Sequence, residues 1–323
     1  MNTTDATAPA DAGALDGALE GALDGALRLN DWALIRAIGP DAASFLHGQL
    51  TQDTLHLEPT QARLAGWCSA KGRLQASFVI WQRGPEEILL ACSADVLAAT
   101  LKRLSMFVLR AKCRLGDVSA DTMMWGLAGA SAAHWLGEEA PDAPWRRLEV
   151  HGGEAIRLPD GDGVPRWLWA APALAAPPPL PPLAESGWAW LEVASGVVRI
   201  VAATAEQFVP QMVNLELVGG VDFRKGCFPG QEVVARSQYR GTLKRRTYRV
   251  SADGPLQPGQ EVFHESDPGQ PAGMVALAAS LDEQHHGALV ELKISALDGG
   301  RLRVGENTLQ LGTLPYAFPA EAA

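Results

Sequence analysis

No stretch of about 18 consecutive apolar residues occurs in the 323-residue chain, which argues against a membrane-spanning helix. The N-terminus shows no basic segment followed by an apolar core, so no secretory signal is expected and a cytoplasmic setting is the default. Cysteine is scarce. Cys68, Cys92, Cys113 and Cys227 are the four, and no two stand within three residues of each other. That spacing excludes the paired-cysteine half-sites of zinc and cluster motifs, and so few thiols make no disulfide framework; no resident metal is expected. An excess of positive charge is missing as well. At a net −10, the chain is not coated in basic surface for nucleic acid.

The chain is long enough for two or three domains. Residues 1–28 are rich in Ala, Gly and Asp and carry the near-repeat GALDGALEGALDGAL. Leucine recurs every four residues there, but so does glycine, at about 1 kcal/mol of helix stability each, so a low-complexity disordered tail is expected. Residues 29–120 read as one α+β subdomain. Its strands are expected at Trp32–Ile38, Arg63–Ser69, Leu74–Gln82, Glu87–Ala91 and Cys113–Val118, with helices capped by Asp41, reaching about Asp53, and by Ser93. Residues 121–245 form a second α+β subdomain, with a strand at Met124–Leu127 and a helix at Trp188–Ala194 ended by Gly196. The proline-dense segment 171–183 suits a stiff crossing between subdomains. From 246 to 323, short strands separated by Gly, Pro and Asp turns suggest a small antiparallel barrel.

The chemistry concentrates in Asp222-Phe-Arg-Lys-Gly-Cys-Phe-Pro-Gly-Gln-Glu-Val-Val-Ala-Arg236. Gly226 and Gly230 bracket Cys227, Pro229 fixes the turn, and a helix starts near Gln231. A thiol ahead of a helix N-terminus and beside Arg224 and Lys225 suits a nucleophile, a redox group or a transient metal ligand. A buried, inert cysteine in a tight turn is the competing reading. Eight Lys or Arg against the single acid Glu232 between Arg224 and Arg249 suggest a confined anionic partner, although Lys244-Arg245-Arg246 also suits a solvated charge cluster. His47, Asp53 and the turn Lys71-Gly72-Arg73 read as structural as readily as functional, and His285-His286 makes a poor metal site.

The string Lys225-Gly226-Cys227-Phe228-Pro229-Gly230-Gln231-Glu232 resembles the K-G-C-[FY]-x-G-Q-E signature of the YgfZ family, folate-binding proteins of the glycine-cleavage aminomethyltransferase superfamily. Further similar pieces are Asp31-Trp-Ala-Leu34, Gly48-Gln-Leu-Thr-Gln-Asp53, Ser69-Ala-Lys-Gly-Arg73, Pro210-Gln-Met-Val-Asn-Leu215 and Leu314-Pro-Tyr316, so the resemblance spans about residues 29–317. It implies three α+β and barrel subdomains in a ring around a central channel, with a tetrahydrofolate or a derivative bound there. Trp32 and Trp188 correspond to tryptophans that bind folate in relatives, and an indole face suits a flat pterin. The anionic tail would meet Arg224, Lys225, Arg236 or Arg240. Where aminomethyltransferases place a pterin-holding glutamate, this chain has Ala194, which accepts no hydrogen bonds, so glycine cleavage is not expected. The implied role is support of iron–sulfur cluster assembly or maintenance in client enzymes such as tRNA methylthiotransferases, with Cys227 as thiolate and Lys225 beside it. A folate-dependent one-carbon transferase and a tRNA-binding module with weak contact through 224–249 stay open as alternatives.

Overall fold

The computed structural model describes residues 21–239 and 243–319. Two five-stranded antiparallel sheets and one closed six-stranded barrel meet around a shared apolar core. Mixed helix and sheet with a C-terminal antiparallel barrel is the expected architecture. The strand nearest the N-terminus, β1 (Gly25–Arg28), joins the second sheet.

The first sheet contains β2 (Trp32–Ile38), β3 (Ala62–Cys68), β4 (Leu74–Gly84), β5 (Glu87–Ser93) and β6 (Arg114–Asp117), in the order β3-β4-β5-β2-β6. Strands β4 and β5 are buried along nearly their whole length because both faces of the sheet are covered. Ile35, Ala37, Phe78, Ile80, Ile88 and Leu90 pack on one side with α1 (Ala42–His47) and α2 (Ala94–Ser105). Their neighbours Leu34, Val79, Trp81, Leu89 and Ala91 point into the shared core. Helix α1 ends well short of Asp53. Gly48 stops it, and Leu50 turns to bridge Trp67. The Asp41 carboxylate does not cap the helix but accepts the Lys112 N–H at 2.7 Å, and Ser93 likewise makes no side-chain cap to α2.

The second sheet runs β1-β7-β10-β9-β8, from β7 (Thr122–Ala128), β8 (Arg147–Val150), β9 (Gly153–Gly161) and β10 (Val164–Pro172). Helix α3 (Gly129–Leu136) follows β7 as α1 follows β2, and three further strands come after each. The two sheets therefore repeat one topology, with β6 and β1 in equivalent edge positions. The expected tail boundary at residue 28 is corrected here: Leu23 is fully buried in the shared core and residues 25–28 pair with β7. The Asp24 carboxylate accepts the Ser131 N–H and O–H at 2.9 Å in the first turn of α3. The proline-rich crossing packs along β1, where Pro181 O accepts the Ala26 N–H at 2.9 Å. A side chain on Gly25 would come within 2.2 Å of that carbonyl, so the repeat's glycine permits the contact.

Helix α4 (Glu185–Ala194) follows the crossing, and Trp188, Trp190, Leu191 and Val193 enter the shared core. Helix α5 (Gln231–Tyr239) precedes the barrel, which closes as β11-β14-β13-β12-β15-β16. Its strands are β11 (Arg245–Ala252), β12 (Glu261–His264), β13 (Asp267–Ser280), β14 (His286–Lys293), β15 (Leu302–Val304) and β16 (Asn307–Leu311). Pairing of β16 with β11 leaves no free sheet edge.

Candidate functional site

The pieces of sequence that carry the resemblance lie far apart along the chain and touch in the fold. Gly230, at φ +78°, would place a Cβ 2.4 Å from Ser69 O and 2.6 Å from Gly72 Cα. Gly72, at φ +71°, faces Val233 of α5 equally closely, at 2.9 Å. Two glycine backbones in contact thus lock the 69–73 turn against the cysteine loop. Segment 48–53 holds the loop from another side: Thr51 Oγ1 donates to Gly220 O at 2.6 Å, Gln52 Nε2 to Gly219 O at 2.6 Å, and the Asp222 N–H to Thr51 O at 2.9 Å. Gln211 Nε2 donates to Val234 O at 2.8 Å, and Asn214 Nδ2 to Thr247 O at 2.8 Å. Tyr316 closes the set by donating to Gly196 O at 2.8 Å.

On this frame Cys227 is exposed, whereas Cys68 and Cys92 are buried and burial pushes both thiols up to about 12. Cys113 is half-buried and is also raised by burial. Cys227 is the accessible thiol of the four. The first amides of α5 do not turn toward it: Gln231 N–H donates to Phe228 O, and Val233 and Val234 N–H to Gly230 O. Lys225 is half-buried, its Nζ donating to His47 O at 2.5 Å and Leu50 O at 2.9 Å, just past the C-terminus of α1. It also lies 4.9 Å from the Phe228 ring centroid, and burial pulls its ammonium down to about 8. A Cβ on Gly226 would sit 3.4 Å from His47 Nε2, and His47 Nδ1 lies 3.0 Å from Asp53 Oδ1. Burial tends to raise the Asp53 carboxyl, but the His56 ring and the amides of Leu55 and His56 outweigh it and hold it at about 2. His47 and Asp53, ambiguous in sequence, therefore stand beside the cysteine loop. Arg224, Glu232 and Arg236 are exposed near it, Gln231 opens α5, and Arg240 is outside the described residues.

The tryptophans lie elsewhere, in the shared core. Trp32 is 8% exposed and Trp188 2%. A small inner cavity of about 30 Å³ is lined by Trp32, Trp145, Arg166, Glu192 and Arg199. A cleft of about 510 Å³ is lined by Arg28, Asp31, Trp188, Glu192 and Arg199. The two share the Glu192–Arg199 ion pair, at 3.0 Å, and Arg199 also reaches Asp31 at 2.6 Å. Each indole has a guanidinium over it, Arg199 at 5.0 Å from Trp32 and Arg166 at 5.4 Å from Trp188. Three buried donors here have no acceptor: Trp32 Nε1, Trp188 Nε1 and Arg166 Nη1. Burial pulls Arg166 down to about 10. The inner cavity has room for about one water, whereas the cleft beside it is large enough for an aromatic ligand. Arg224, Lys225 and Arg236 line neither space. Arg166, Glu192 and Arg199 escaped the sequence reading; the available signal was a charge set inside the apolar runs around Trp167 and Ile200.

The basic band from 224 to 249 is neutralised at its C-terminal end, whereas Arg224, Arg236 and Lys244 stay exposed. Arg245 pairs with Glu291 at 2.6 Å, buried Arg246 with buried Glu216, and Arg249 with Asp162. The reading of Lys244-Arg245-Arg246 as one solvated cluster is corrected accordingly. Among the described residues no group of three or more His, Cys, Asp or Glu is arranged to hold a metal ion, and no helix is long and apolar enough to cross a membrane.

No protein-family model matches the chain. It is 36% identical over 239 residues to the tRNA-modifying protein YgfZ of Edwardsiella ictaluri, covering 69% of each chain. The chain belongs to the YgfZ family. The YgfZ protein of Cronobacter sakazakii is 29% identical over 309 residues, 90% of this chain and 93% of that one. In fold, this YgfZ family member resembles the glycine cleavage system aminomethyltransferase T of Bartonella henselae, with a TM-score of 0.69 over 92% of this chain and 89% of the other at 16% identity. Ala194 is buried at the end of α4.

Proposed function

We propose that this YgfZ family member holds a tetrahydrofolate, or a derivative, between Trp32 and Trp188, and uses Cys227 as a reactive thiol in support of iron–sulfur-dependent tRNA modification. The observation that carries the reading is Cys227 itself, the exposed cysteine of four, on a loop wedged against the other family segments. Relatives that bear the name tRNA-modifying protein supply the context. The unmatched donors Trp32 Nε1, Trp188 Nε1 and Arg166 Nη1 support a ligand with several acceptors. A reduced folate, when bound, supplies one-carbon or redox chemistry. The residues that would hold it are Trp32, Trp188 and Arg166, and Arg28, which lines the cleft, would meet its anionic tail. Arg224, Lys225 and Arg236 stand instead with Cys227, where they would meet an anionic or acidic partner surface such as that of an iron–sulfur client enzyme. The iron–sulfur cluster is the cargo of this support, not a resident group.

The test is complementation of cells lacking their own YgfZ protein, read as methylthiolated nucleosides in tRNA. Cys227→Ala is expected to fold, to give an unchanged tryptophan-fluorescence titration with 5-formyltetrahydrofolate, and to restore no modification. Restoration by that variant would remove the thiol from the mechanism. Absence of any folate titration in the wild type would remove the cofactor. Turnover of a methylene donor with tetrahydrofolate would instead favour the one-carbon transferase.

A further inference from the structure

A second basic stretch, from α2 to β6, differs from the C-terminal end of the first, where Arg245, Arg246 and Arg249 are paired with carboxylates. Between Val96 and Gly116 the chain carries Lys102, Arg103, Arg110, Lys112 and Arg114 and no acid, on a protein of net charge −10. All five are exposed, and the ion pair made among them is Arg103 with Glu206, itself on the surface. The nearby carboxylates are engaged with the protein: Asp41 accepts the Lys112 amide, and Asp117 accepts the Ser119 amide and hydroxyl. The loop between the two elements is ordered by successive turns, with Phe107 N–H on Leu104 O, Val108 N–H on Ser105 O and Ala111 N–H on Val108 O. It displays Met106 at 69% exposure, Phe107 at 47% and Leu109 at 88%. Leu109 sits at φ +40°, a conformation unfavourable for a residue with a side chain, and packing offers no compensation at that exposure. The segment ends on β6, an open edge of the first sheet.

We propose that residues 102–114 form a docking surface for a folded RNA, the cations on its phosphates and Phe107 against an unpaired base. The inference rests on the reading that this protein serves tRNA modification, and it moves the RNA contact away from residues 224–249. Charge complementarity selects a polyanion. An anionic bilayer fits less well, because the apolar face of α2 (Val96, Thr100, Leu104) is already buried against the first sheet and leaves four loop residues to insert.

The experiment is fluorescence anisotropy of labelled tRNA with the full chain from 50 to 300 mM salt. The combined Lys102→Gln, Arg110→Gln, Lys112→Gln and Arg114→Gln variant is expected to lower the slope of log affinity against log salt by about 3, at just under one for each phosphate that no longer meets a cation. Phe107→Ala is expected to weaken binding about tenfold at an unchanged slope. Removal of three exposed barrel cations, Lys244→Gln, Arg301→Gln and Arg303→Gln, should leave the slope within one of wild type. Folate titration of each variant reports that it is folded. Equal binding by the fourfold variant and the wild type would overturn the assignment, as would a preference of the wild type for phosphatidylglycerol vesicles over tRNA. A wild type that binds no tRNA at 50 mM salt would overturn the RNA reading of the protein itself, a result separate from the location of the contact.

Discussion

The cysteine loop and the tryptophan cavity follow opposite construction rules. The loop is a continuous string that exposes Arg224, Cys227 and Glu232, and it is held by contacts so close that only glycine fits at Gly72 and Gly230. The cavity is assembled from both sheets, α4 and the segment after it, and its polar groups are buried ion pairs and unmatched donors. The first arrangement fixes position through sterics and leaves the side chain free to react. The second leaves buried donors unpaired inside the protein. A loop of this kind fails by losing its shape, and a cavity of this kind by losing its complement.

Gly230→Ala tests the steric half most severely. A Cβ there meets the Ser69 carbonyl, and the left-handed backbone adds strain, so about 3 kcal/mol of stability should be lost, read by urea unfolding. A loss below about 0.5 kcal/mol would show that the loop is loosely held. Arg166→Met tests the other half. Glu192 keeps Arg199 as its partner, so stability should hold or rise, whereas affinity for 5-formyltetrahydrofolate should fall about tenfold in a fluorescence titration. Unchanged affinity would remove Arg166 from the ligand's contacts.

Asp53→Asn is the mildest break and brings in pH. The carboxyl is held below its ordinary value in the fold, so its contribution is complete above about pH 4 and is lost as pH falls toward 2. Thermal melts should show the variant less stable than wild type by about 1 kcal/mol at pH 7, with the two converging near pH 2. A gap that persists at low pH would mean that Asp53 acts through shape rather than charge.

Much of the fold was legible because its signals are local. The strand Trp32–Ile38 and five of the six barrel strands follow from turn residues and apolar runs in adjacent positions. Strand β15, three residues long, gave too short a run to register. Residues 25–28 read as tail because a glycine every fourth residue argues against helix, while their partner, β7, lies about a hundred residues away. Arg245, Arg246 and Arg249 read as free charge for the same reason: Glu291, Glu216 and Asp162, which pair with them, lie elsewhere in the chain.

The order of residues determined which groups the cysteine loop carries, since a thiol, its flanking glycines and a nearby lysine are bound into one short stretch of backbone. It also settled which strands are doubly buried, since an uninterrupted apolar run has no polar face to give to water. The fold alone determined which charges neutralise one another and which donors stay unpaired. Charge pairing and cavity shape arise between segments that folding brings together, and neighbours in the chain carry no record of those distances.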